Sequence, residues 1–217
     1  RSEKRPATGW MRRHWPRGLI AWTRLLDGRW TDALVGRDLL AGVLVGLVMA
    51  ATFLLAGWAK IWTNSPFRPN FYLIPSALDG LRFTAGLVLG RITVSLVVVF
   101  GLLLLLVVAR RALRREGVAA GVLWAVWSLV PILVALRSWP AIAALLVVNA
   151  LILWAVVRLG LVAGVTASFV NGAIQASPVT SDPTAPYAAS SWLVLGGIAL
   201  LAFYAARSAQ RVQRFEV

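Results

Sequence analysis

The chain has 217 residues, 59% of them hydrophobic, with 22 Lys and Arg against 8 Asp and Glu, a formal net charge of +14. Soluble domains are nearer half apolar, so the excess, seen as a mean hydropathy of +0.78, belongs to long apolar runs and not to a larger core. There is no cysteine, which excludes disulfides, thiolate metal sites and cysteine nucleophiles.

A basic balance suits nucleic acid, an acidic partner or an anionic membrane surface. Here the arginines flank apolar runs, so lipid is the expected partner and nucleic acid is not. The first residue is Arg1, as expected of a piece of a longer polypeptide or a processed one, with Met11 an alternative start. About 38 largely polar or basic residues precede the first long apolar run, which is unlike a signal peptide.

Residues 1–38 read as a basic, Trp-rich cytoplasmic or interfacial arm. Arg1 to Thr8 is charged and carries Pro6, the composition of a disordered stub. Beyond it Trp15, Leu19, Trp22 and Leu26 recur at spacings of four, three and four, which puts them on one side of a helix. Pro16 suits its first turn, and Arg17 and Arg24 fall elsewhere around the wheel. A basic helix with tryptophans on its apolar side lies in the membrane interface. Trp15, Trp22, Arg17 and Arg24 are therefore expected to touch lipid or a partner.

Residues 39–217 read as an all-α, polytopic transmembrane bundle of about six spans. The clearest is the run from Ile92 to Ala109, free of charge and followed at once by Arg110, Arg111, Arg114 and Arg115. About 20 apolar residues cross the hydrocarbon, and the arginines behind them stay in the cytoplasm. The first span is expected at 39–58, with Trp58 and Trp62 in the aromatic belt of the far interface. A Pro-rich outer loop follows, and Ser76-Ala-Leu-Asp79 resembles a capping box. The second span, 83–109, sits in an apolar region long enough to demand tilting or a break near Gly86 or Gly90. The others are expected at 117–136, 141–157, 159–175 and 191–206, the fifth being the least apolar. With both termini cytoplasmic, 17 of the 22 basic residues lie on inner segments, in keeping with the positive-inside rule. The location expected is a bacterial inner membrane.

Four Gly-x-x-x-Gly pairs occur: Gly42/Gly46, Gly86/Gly90, Gly117/Gly121 and Gly160/Gly164. Chance supplies about one or two. Small residues let helix backbones approach closely, so these are candidate packing positions, three of them at the cytoplasmic ends of outgoing spans. Polar groups within spans are few: Asn149, Asn171, Gln175 and, near the outer interface, Arg91. The amides are expected to bond between helices. Arg91 is expected to snorkel outward, with an anion or acidic partner as the sharper alternative.

The chemistry of catalysis is missing. His14, the sole histidine, lies outside every span, and no span carries Asp or Glu. No Walker loop, His-Glu-x-x-His or Gly-x-Ser-x-Gly is present. The expected role is a non-catalytic anchor or accessory subunit beside other integral membrane subunits, for example in a respiratory or photosynthetic complex. No cofactor is expected; lipids, and pigments held without histidine, are the expected contacts.

The stretch from Trp22 to Gly42, with Val35-Gly-Arg-Asp38 leading into the first span, resembles the entry to the C-terminal membrane region of bacterial membrane-anchored serine/threonine protein kinases. So do Phe169-Val-Asn171, Ser177 to Asp182, Tyr187 to Trp192 and Ala202-Phe-Tyr204. The resemblance implies the anchor or sensor half of a receptor-like kinase, its catalytic half upstream or lost. No kinase motif is present, so no kinase site carries over. A small transporter is a third expectation, argued from the break near Gly86 to Arg91.

Overall fold

A computed structural model describes residues 16–63, 81–113, 116–135, 138–177, 180, 182–185 and 187–210. Trp15 and the capping box at Ser76 lie outside them. The described residues are helical, with no strand among them. In lipid this is required, because each backbone N–H and C=O must be satisfied within its own segment.

Helix α1 spans Pro16–Leu26, α2 Ala33–Trp62, α3 Leu81–Leu113, α4 Glu116–Ala135, α5 Trp139–Trp154, α6 Leu161–Ala176 and α7 Ala188–Gln210. Four segments are long and apolar enough to cross a membrane: α2, α3, α5 with its extension to Leu159, and α7. The apolar stretch Gly117–Leu129 of α4 and the whole of α6 are shorter.

Three boundaries differ from expectation. Helix α2 begins at Ala33 instead of Leu39, because Asp32 caps it by accepting from the Leu34 N–H at 2.9 Å. Of the tilt or break expected near Gly86 or Gly90, the break is absent; α3 runs unbroken for 33 residues, about 50 Å at 1.5 Å per residue. Helix α5 ends in a π-helical turn, Ala155–Leu159, closed by a Gly160 N–H bond to the Ala155 carbonyl at 3.0 Å. Gly160 has φ +108°, a region open to glycine and hostile to other residues. Its backbone reverses the chain directly into α6.

The helices alternate in direction. Gly42 and Gly46 of α2 meet Ala163 to Val170 of α6 in rising order, so those two run parallel. Val99 of α3 meets Gly164 and Arg91 meets Gly172, so α3 runs against α6. Gly36 at the start of α2 meets Ala205 and Ser208 near the end of α7. One end of the bundle thus gathers Arg37, Arg110, Arg111, Arg158 and Arg207, and Lys60 and Arg82 lie toward the other.

Helix α6 is the post around which the rest is built. Leu161, Val162, Ala163, Gly164, Thr166, Ala167, Val170, Ala173 and Ala176 are all buried. Its low hydropathy follows, since it faces protein and has little need of lipid-facing leucine. Helices α3, α4, α5, α2 and α6 pack successively against one another and close a ring, with α7 outside it on α2.

Candidate functional site

The ring frames a half-open cavity of about 620 Å³, with Val94, Leu105 and Val126 of its lining exposed. Met49 and Phe53 come from α2, and Arg91, Val94, Ser95, Val98 and Leu105 from α3. Leu123, Val126 and Trp127 come from α4, and Leu145, Val148, Asn149 and Ile152 from α5. Helix α6 adds Ser168, Asn171, Gly172 and Gln175. Most of this lining is apolar, and no carboxylate belongs to it. The volume lies within the range of roughly 300–1,000 Å³ usual for ligand cavities.

Polar groups concentrate toward the end opposite the arginine cluster. Gln175 and Asn171 stand one helical turn apart, and the Gln175 amide nitrogen donates to Asn171 Oδ1 at 2.9 Å. The other Gln175 atom, Oε1, is buried and takes no hydrogen bond among the described residues. Arg91 reaches the same level of α6: a Cβ built on Gly172 would lie 3.5 Å from Arg91 Cδ and 3.8 Å from its Nη1. Gly172 thus makes room for the arginine stem. Arg91 is half-buried and has no ion pair or hydrogen bond among the described residues. Instead of only reaching outward along its helix, it lines the cavity.

Asn149 lies deeper and is buried. Its Nδ2 donates to Ser128 Oγ at 3.1 Å, tying α5 to α4 in a buried pair. Trp124 Nε1 adds a bond to the Leu146 carbonyl at 3.1 Å. At the end opposite the arginine cluster Thr84 donates to Ser190 Oγ at 2.8 Å, clasping α3 to α7. The sequence reading missed this hydroxyl pair. Its signal was two small polar residues near the starts of parallel apolar helices, too common a pattern to single out.

The glycine pairs divide. An added Cβ would lie 2.6 Å from the Ala163 carbonyl at Gly42, 2.7 Å from Val170 Cβ at Gly46 and 2.7 Å from Val156 Cγ2 at Gly164. Those three seat helices against one another, and Gly160 serves the turn. At Gly86, Gly90, Gly117 and Gly121 an added Cβ would meet nothing within 4 Å. Among the described residues these four make no helix contact and are exposed, so the packing expected of them is not seen within the described bundle.

The arm also turns inward. Ala21 is buried with Val35 and Val162, and Trp22 and Leu25 pack on that cluster. Trp22 sets its ring edge-on to Phe100 at 5.4 Å between centroids. Part of its surface is thus spent on contact with its own bundle, and Trp22 remains only partly buried. Leu26, placed on the same apolar side by its spacing, is 68% exposed; the buried stripe is Ala21, Trp22 and Leu25. Arg24 pairs with Asp32 at 2.8 Å, so its partner is a carboxylate of this chain. Of Arg17 only the backbone, in α1, is described. Tyr204 donates its phenol O–H to the Trp30 carbonyl at 2.7 Å, joining α7 to the same corner. Trp58 and Trp62, at the other end, are 69% and 85% exposed.

Among the described residues no group of His, Asp and Glu is arranged to hold a metal ion. Comparison with known protein families, with curated proteins and with solved structures found no match.

Proposed function

We propose that the chain is a non-catalytic integral membrane module, an anchor or accessory subunit of a larger assembly in a bacterial inner membrane. In this reading α2 to α7 make six crossings, both termini are cytoplasmic and α1 lies at the inner interface. The observation that carries it is the outward placement of Gly86/Gly90 and Gly117/Gly121 beside exposed Leu89 and Val122. A notch between large apolar side chains accepts a partner helix closely, and flexible lipid tails fill it less well. The test is purification in mild detergent. Wild-type chain is expected to migrate with a larger complex, and a variant with Gly117→Leu and Gly121→Leu to leave it without losing its own thermal stability. Migration of the wild type as a lone monomer sinks the reading.

A second reading, the anchor half of a receptor-like serine/threonine kinase, has its own support. Two of the segments that carry the resemblance meet in the fold, Trp30 with Tyr204. The tie holds α1 against the arginine-rich end, a firm mount for a domain upstream of it. The genomic reading frame tests it; a stop codon just upstream of Arg1 removes it. The transporter reading rested on a broken helix near Gly86, and α3 is continuous there.

A further inference from the structure

We infer that the cavity inside the five-helix ring is a binding site for an anionic single-chain amphiphile, with Arg91 holding the acidic head. This goes beyond the anchor reading and stands without it.

Three observations converge. The first is an uncompensated cation. Arg91 lines the cavity without a carboxylate or hydrogen-bond partner among the described residues. A guanidinium held away from water in a bilayer is costly unless it meets an anion or polar partner. It offers a planar fork of donors matched to carboxylate or phosphate. The second is a polar rim at the same level. Asn171 and Gln175 are bonded to each other and stand on the helix that faces Arg91 across Gly172. The buried Gln175 Oε1 has no donor among the described residues, and a water bridging it to the head would supply one. The third is the shape and chemistry of the remainder. From Arg91 to Leu105, both in the lining, α3 rises by about 21 Å. Below Arg91 the walls are mainly Val, Leu, Ile and Trp127, and the amide of Asn149 is already engaged by Ser128. A long apolar slot under one cation rejects a small hydrophilic anion, which would leave the slot empty. It equally rejects a lipid with an uncharged head, such as a fatty ester, which would leave the cation bare. An acidic head on one long chain satisfies both.

Two heads share this chemistry, a carboxylate and a phosphate monoester. The full chain is placed in nanodiscs of neutral phosphatidylcholine at mildly alkaline pH. Dibrominated stearate, its methyl ester and dibrominated octadecyl phosphate are then titrated in turn. Bromine quenches tryptophan on contact, and the signal lost in a Trp127→Phe variant isolates the Trp127 share. Saturable quenching by the acid or the phosphate, with the ester at least about tenfold weaker, is expected, since one charge-assisted contact is worth that much. Whichever head binds tighter names the source. Arg91→Gln should weaken the charged probe about tenfold or more, leave the ester unchanged and be largely rescued by Arg91→Lys. Should Arg91→Gln misfold, Gly172→Asp serves instead. Its carboxylate would stand beside Arg91 in ordinary van der Waals space and displace the charged probe from within. Equal quenching by acid and ester, or charged-probe binding unmoved by Gly172→Asp, overturns the assignment and leaves only partitioning into the bilayer.

Discussion

Gly42 lies so close to Thr166 that an added Cβ would stand 2.6 Å from the threonine Cβ. Neither side can yield, because the neighbouring contact is the Ala163 backbone carbonyl, also at 2.6 Å. Gly42→Ala is therefore expected to lower stability by about 1–3 kcal/mol, the usual cost of overpacking, and Gly46→Ala by a similar amount. Gly90→Ala and Gly121→Ala meet open space. Replacing a helical glycine there should be neutral or stabilise by about 0.5–1 kcal/mol. Thermal unfolding of the four variants in detergent measures the contrast.

The Asn149–Ser128 bond is buried and joins α5 to α4 among apolar side chains. Such bonds are worth about 0.6 kcal/mol and up to roughly 2. Asn149→Leu and Ser128→Ala should each destabilise, and the double variant should lose less than the sum of the two. A strictly additive cycle would show that the pair is not coupled.

Asp32 caps α2 and holds Arg24. Removing the carboxylate with Asp32→Ala ends both contacts and should cost about 1 kcal/mol, mostly from the cap, because the ion pair is partly exposed. Tyr204→Phe removes the other tie to this corner. Limited proteolysis should cut near Gly28 faster in each variant and fastest in the double one. Cleavage unchanged from wild type would show that α1 is held by its apolar contacts alone.

Asp182 accepts from the Thr184 hydroxyl at 2.7 Å and from the Thr184 N–H at 2.9 Å. Both bonds favour the carboxylate, the hydroxyl most, and hold its pKa below the ordinary 3.8. The sign follows: the turn keeps its full support above pH 3.8 and loses it as pH falls through the lower, folded value. An NMR titration of the Asp182 side chain should find a midpoint under 3.8. Thr184→Val should raise it, and an unmoved midpoint would assign the shift elsewhere.

Much of the architecture was legible because lipid restricts the choices. Arg110 and Arg111 behind an uncharged run marked both a helix and its end, and Asp32 before Ala33 was a capping signal that went unread. Partners were harder to read. A helix apolar all round has no moment to show which side meets protein, so Gly42 and Gly121 look alike in sequence and differ in the fold. Helix α6 looked weak because its apolarity was measured against lipid, when its neighbours are other helices. Arg91 looked like an edge residue because its position on α3 alone was visible. That Gly172 would stand across from it depends on the antiparallel register of two helices distant in the chain.

The reversal at Gly160 leaves no residue to spare between α5 and α6. Joined this tightly, α5 and α6 act as one hairpin, so whatever fixes α5 also fixes the position of α6. The central post of the bundle is thus tethered to its neighbour by backbone as well as by packing.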